Sequence, residues 1–278
     1  MMQIKKYIRF NLAAAIIIPA LLTSCNSDAP VMERPEKVYY DTAQRRMKAN
    51  NFFSAIESLQ AIEARYPFGR YAEQAQSELI YAYYMNGEDE ASHEAAEKFI
   101  RLNPRHPNID YAYFMRGIAS YTRDKGIFAR VFKSDLSNRD ISGAKQAFGE
   151  LSEFLTRFPQ SQYAPYASQR LIYLRTLIAK NELVAAEYYL KRKAYVAALR
   201  RAKYVIENIP NTSENIRALQ IIRECYEALG YFELMEDIES VIEENGGSII
   251  ESSEPSSWNF LSRKAPRPNQ NRSNLRNY

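Results

Sequence analysis

The chain has 278 residues, with 37 Lys and Arg against 33 Asp and Glu for a formal charge of +4, 21 tyrosines, 9 glycines and 2 cysteines. That balance excludes a nucleic-acid-binding core, which needs a strong basic excess, and two widely separated cysteines exclude a disulfide framework. The cations also cluster at the ends: Lys5, Lys6 and Arg9 open the chain, and Arg263, Lys264, Arg267, Arg272 and Arg276 lie after Leu261 with no acid among them, so the body between is mildly acidic.

Behind the basic start, residues 10–22 (FNLAAAIIIPALL) are apolar but broken by Asn11 and Pro19. A lasting membrane helix needs about 20 apolar residues, so this run reads as the apolar part of an export signal. The following Leu22-Thr23-Ser24-Cys25 resembles the lipobox of bacterial lipoproteins. The resemblance implies that residues 1–24 are removed and that Cys25 carries covalent acyl chains, a firm anchor because each buried CH₂ contributes about 0.8 kcal/mol. An ordinary secretory signal with an incidental cysteine is the alternative. Asn26, where Asp would favour retention in the inner membrane, implies the periplasmic face of the outer membrane. Residues 25–35 are polar, carry Pro30 and Pro35, and suit a tether.

From Glu36 to Asn245 apolar residues recur at helical spacing. Tyr66-Pro67, Asn103-Pro104, Phe158-Pro159 and Ile209-Pro210 each close a helix, because proline lacks an N–H and disfavours helix at the preceding residue. Twelve residues before each proline stand Ala55, Ser92, Ala147 and Ala198. Eight before stand Leu59, Ala96, Leu151 and Ala202, and five before stand Ile62, Phe99, Phe154 and Val205. Such steps place all three columns on one helical face. The pattern resembles the tetratricopeptide repeat and predicts an all-α, right-handed α-solenoid of about five helical pairs: 36–49 with 52–66, 71–86 with 89–103, 108–123 with 140–158, 162–192 with 194–208, and 213–229 with 231–245. Each pair buries its face only against its neighbours, producing a grooved surface suited to a peptide or protein. Residues 36–123 form the N-terminal half and 124–245 the C-terminal half.

Residues 124–140 interrupt the third pair, either as a functional loop or as a surface insertion packed by Phe128, Val131 and Phe132. From 246 onward Gly, Ser, Pro, Asn and Arg predict a disordered basic tail. Trp258 within it is either a short docking motif or has no specific partner. Cys225 lies in an apolar helical pattern and reads as a buried structural thiol.

No nucleophile elbow, Gly-rich phosphate loop or zinc motif is present. His93 falls among Glu90, Glu94 and Glu97 on what reads as an exposed charged face, and His106 lies in a turn; neither has a metal-ligand partner at the required spacing. Gly87 to Glu94 is acidic but reads as a solvated helix start. The expectation is a protein that is not an enzyme and binds no metal. Tyrosine is abundant on the first helices of the pairs, where it suits recognition surfaces; most of these rings are expected to pack between repeats and a minority to face a ligand.

Seven stretches carry a more specific likeness: Arg65-Tyr-Pro-Phe-Gly69, Leu79-Ile-Tyr-Ala-Tyr-Tyr84, Phe99-Ile-Arg-Leu-Asn-Pro104 with His106-Pro-Asn108, Met115-Arg-Gly117, Asn138-Arg-Asp140, Ala186-Glu-Tyr-Tyr189 and Ala194-Tyr-Val-Ala197. Together they resemble the BamD family (also called ComL or YfiO), lipoproteins of the β-barrel assembly machinery, over roughly residues 22–245. The resemblance implies binding to BamA periplasmic domains, docking of BamC-like and BamE-like lipoproteins, and recognition of C-terminal signals of unfolded outer-membrane proteins. It places Tyr66, Phe68 and Gly69 at the substrate-recognition loop. Tyr81 and Tyr84 are expected to line the same groove. It also implies a BamA contact at Arg201, with Arg200 and Lys203 extending a positive patch. The tail departs from the family, and nothing is carried over to it. A tetratricopeptide-repeat lipoprotein that gathers cell-wall enzymes is the alternative; it would share anchor and repeats but need none of these stretches.

Overall fold

The computed structural model describes residues 34–123, 140–245, and Arg267 with Pro268. The signal segment, Cys25, most of the tether, the insertion up to residue 139, Trp258 and the remainder of the tail lie outside the described residues. Arg34 and Pro35 are exposed and outside any helix. Within the unit that begins at Glu36 the described helices are α1 (Glu36–Lys48), α2 (Phe52–Arg65), α3 (Ala72–Asn86), α4 (Asp89–Leu102), α5 (Ile109–Arg123), α6 (Ser142–Arg157), α7 (Ala164–Lys191), α8 (Tyr195–Asn208), α9 (Asn215–Leu229) and α10 (Phe232–Asn245). Each packs on the next in the chain, and the first helices of successive pairs also touch, α3 with α5 and α7 with α9. This is the paired packing of a tetratricopeptide-like solenoid.

The three columns explain the packing. All twelve column residues are between 0% and 1% exposed. The small residue of each set lets the neighbouring helix approach, and the larger ones fill the seam. The four pre-proline residues share one backbone conformation, φ −125° to −131° and ψ 54° to 57°, outside the helical region as proline requires. Each still donates its N–H to the carbonyl of the last column residue: Tyr66 to Ile62, Asn103 to Phe99 and Phe158 to Phe154 at 2.8 Å, and Ile209 to Val205 at 2.9 Å. One local device thus ends four helices identically. Gly87, at φ 91°, and Gly230, at φ 78°, end α3 and α9 in the left-handed region, where a residue with a Cβ is disfavoured. Helix α7 has 28 residues and a proline in its first turn. It spans about 42 Å and packs on α6, α8 and α9.

His93 corrects an expectation. It is buried, and its Nε2 lies 2.9 Å from Glu150 Oε1 across the α4–α6 contact. Glu150 also accepts from Ser120 Oγ at 2.7 Å and Gln146 Nε2 at 3.0 Å. The hydrogen bond to Glu150 raises the His93 pKa above its ordinary 6.5; the Glu97 charge adds to this, while burial and Arg123 oppose it. Burial alone would raise the Glu150 pKa, but hydrogen bonds from His93, Ser120 and Gln146 outweigh it and hold the carboxyl below 4.5. A raised histidine pKa stabilises the fold fully below about pH 6.5 and loses that effect as pH rises through the folded value. The depressed carboxyl acts above about pH 4.5 and is lost as pH falls. His93→Gln is therefore expected to lower Tm most near pH 5.5 and least near pH 8.5. Equal losses in thermal melts at both pH values would contradict the ion pair.

His106 is buried edge-on against Phe99, with ring centroids 5.1 Å apart, and its Nδ1 accepts the Asn108 N–H at 3.0 Å. Burial lowers its pKa, so it braces the turn as a neutral ring. Cys225 is fully buried, and burial together with the Glu224 charge pushes its thiol up to about 11. The thiol stays protonated at neutral pH, as befits a structural cysteine.

Candidate functional site: an aromatic exit loop and a cationic cleft

The loop after α2 is built by its backbone. Pro67 stops the helix, Gly69 N–H donates to the Tyr66 carbonyl at 2.9 Å, and Ala72 N–H donates to the Gly69 carbonyl at 3.2 Å. Glu36, at the start of α1, reaches over to cap α3: its carboxylate accepts the N–H groups of Arg70 at 3.0 Å and Tyr71 at 2.7 Å. An acid suits that end because unsatisfied N–H groups and the helix dipole favour negative charge. A Cβ on residue 69 would overlap the Glu36 carboxylate, so that flexible side chain would have to shift and loosen its cap. Tyr66 is half-buried against the core, whereas the Phe68 ring is 100% exposed. Beside them Tyr40 stacks on Tyr71 with centroids 4.5 Å apart, and the Arg65 guanidinium sits 5.4 Å from the Tyr39 ring.

The tyrosines divide as their burial dictates. Tyr84 is in the core, which corrects its expected place on an open groove. Tyr81 is 7% exposed and packs edge-on against Phe52, with centroids 5.9 Å apart; it too presents little open surface. Tyr111 and Tyr113 are buried, and Tyr189 packs against the core, while Tyr188 stays exposed under the Arg192 guanidinium at 4.7 Å. Glu78 was not singled out by the sequence. Its buried carboxylate accepts from Tyr40 Oη at 3.0 Å, Gln74 Nε2 at 2.9 Å and Gln44 Nε2. Burial, together with the Glu78 charge, pushes the Tyr40 pKa far up.

At the other half, the α7–α8 turn opens a cleft of about 860 Å³, lined among others by Glu182, Tyr189, Tyr195, Arg200, Arg201 and Tyr204. Arg201 Nη1 donates to Glu182 Oε2 at 2.7 Å, and Lys145 Nζ donates to Glu182 Oε1 at 3.0 Å. Burial would raise the Glu182 pKa, but these two cations outweigh it and hold the carboxyl below its usual range. Glu182 fixes one edge of the Arg201 guanidinium, and the side chain remains 47% exposed. Arg200 lines the same cleft. Lys203 does not join them: its Nζ lies 5.4 Å from the centre of the Tyr226 ring on α9, and the hydrogen bond to Tyr226 raises its pKa. The cations lining the cleft are Lys193, Arg200 and Arg201, set against exposed apolar surface from Val196 and Tyr204. Cations beside aromatic and aliphatic surface suit a protein partner. Glu182 lies 19 residues from Arg201, and nothing local in the sequence marks the pair.

Among the described residues no group of His, Cys, Asp and Glu can hold a metal, and no helix is long and apolar enough to cross a membrane. The YfiO family of outer membrane lipoproteins matches residues 32–240, well over half of the chain. The outer membrane protein assembly factor BamD of Vibrio cholerae is 33% identical over 238 residues, covering 85% of this chain and 99% of that protein. The BamD proteins of Neisseria meningitidis serogroup A and Xylella fastidiosa are each 34% identical over 84% of this chain, covering 88% and 81% of their own lengths. A family model that spans most of the chain and relatives a third identical over most of their length place it in the YfiO (BamD) family of outer membrane lipoproteins.

Proposed function

We propose that this outer membrane lipoprotein is a non-catalytic assembly factor of the β-barrel assembly machinery that uses its two halves for two partners. The family match carries the machinery membership; the division of labour is the finer reading. Residues 36–123 receive the C-terminal signal of an unfolded barrel protein at the exit loop. The C-terminal half docks the periplasmic domains of BamA through Arg201 and Arg200, and BamC-like and BamE-like lipoproteins add to the assembly. Cys25 supplies the acyl anchor. A fully exposed Phe68 supports the loop assignment, since a large ring held open to water on an ordered turn suits an aromatic-rich strand.

Affinity capture of the tagged protein from its own envelope, read by mass spectrometry, tests the machinery: a polytopic β-barrel with periplasmic repeats should dominate. Dominance of murein hydrolases or synthases would support the cell-wall scaffold instead. For the loop, Phe68→Ala should weaken binding of a barrel C-terminal peptide about fivefold or more with helicity unchanged, the effect of losing an aromatic anchor. Tyr66→Ala should act in the same direction. Unchanged affinity in fluorescence anisotropy for both variants would remove the loop from the site.

A further inference from the structure

Of the described residues, Arg267 joins the tail to the N-terminal repeats. Arg267 Nη2 donates to the Met47 carbonyl at 3.2 Å, in the last turn of α1. Its guanidinium lies 5.4 Å from the centre of the Tyr81 ring on α3. Tyr163, which precedes α7, donates its hydroxyl to the Arg267 carbonyl at 3.3 Å, and Pro268 is buried. Three elements far apart in sequence thus hold Arg267 by its charge and its backbone.

Each contact has a physical reason. The last carbonyls of a helix carry partial negative charge and have unused acceptor capacity. A tyrosine face attracts a guanidinium. Tyr163 is itself held, stacked on Phe114 at 5.2 Å and tilted against Tyr111 at 5.4 Å, so its hydroxyl is presented rather than free to turn. The occupant is stiff as well: in Ala265-Pro-Arg-Pro268 prolines on both sides of Arg267 restrict its backbone, and little entropy is lost on docking.

We propose that the end of α1, the Tyr81 face of α3 and Tyr163 form a binding site for an arginine-proline step, and that the chain's own Arg267-Pro268 occupies it, so that any other ligand of this face must displace the tail. The site does not depend on the substrate reading above. A tethered segment needs only weak intrinsic affinity, because covalent attachment supplies an effective concentration on the order of 1 mM.

The test uses the full-length chain in detergent and a labelled synthetic peptide of residues 262–272, followed by anisotropy. The R267E P268S double variant vacates the site and should bind the peptide about tenfold more tightly than wild type, as expected for a tethered copy at ~1 mM competing at a site of ~0.1 mM intrinsic affinity. Adding Tyr163→Phe to that variant should weaken the peptide severalfold. Equal binding by wild type and the double variant, at matched Tm, overturns the proposal. So does dimerisation of wild type that the double variant abolishes, which would mean a tail from a second copy. Because the probe is the chain's own sequence, failure of a barrel peptide to bind leaves this result standing and counts only against the substrate reading.

Discussion

Arg201→Glu is expected to weaken association with the barrel subunit by about 2 kcal/mol or more, roughly 30-fold, since loss of one partner from a close charge pair at an interface has that size. The substitution removes the donor 2.7 Å from Glu182 and puts a second carboxylate beside a buried one. The fold is affected too, but less, because Lys145 still holds Glu182 from the α6 side. Glu182→Gln separates the two effects. It loosens the intramolecular pairing yet leaves the Arg201 guanidinium available. If Arg201 meets the partner directly, Glu182→Gln should keep most of the affinity while Arg201→Glu loses it. Parallel losses in titration calorimetry would mean that Arg201 acts only by holding the cleft together.

Phe154→Ala should destabilise the protein by 3–5 kcal/mol, the usual cost of emptying a buried phenylalanine site. Phe154 is fully buried in the seam of the third pair, with ring centroids 5.8 Å from Phe114 and 6.1 Å from Phe158. A solenoid has no central core to compensate, and coupling passes only between neighbours. The cavity should therefore also lower the apparent m-value as the two halves begin to unfold separately. Phe53→Ala on α2, whose ring is 63% exposed, is the control and should change stability by less than about 0.5 kcal/mol. Urea titration followed at 222 nm distinguishes the two. A loss below about 1 kcal/mol for Phe154→Ala would show that the seam collapses onto the cavity.

The helices were legible because their code is local. Burial on one face repeats every three to four residues, proline must end a helix, and the expected boundaries fall within two residues of those observed. The twelve column residues needed only counting back from four prolines. Polar partnerships carry no such period. His93 sits among Glu90, Glu94 and Glu97 in sequence and so reads as solvated, yet the residue that determines its state is Glu150, 57 positions on. Tyr81 and Tyr84 share a tyrosine-rich helix with Tyr83, and composition does not say which rings turn inward. Glu78 looks like any surface acid until Tyr40 and Gln44 arrive from α1.

The sequence by itself determined the helical pairs, their order, the seam residues and, through seven short stretches, the family, because each of these is written in neighbours a few positions apart. Only the tertiary structure decided that Glu36 caps α3 against Gly69, that Arg201 is half committed to Glu182 while Lys203 points to Tyr226, and that Arg267 returns to Met47, Tyr81 and Tyr163. Those contacts join groups 19 to 220 residues apart. Their energy depends on distance and burial, which exist only once the repeats have stacked.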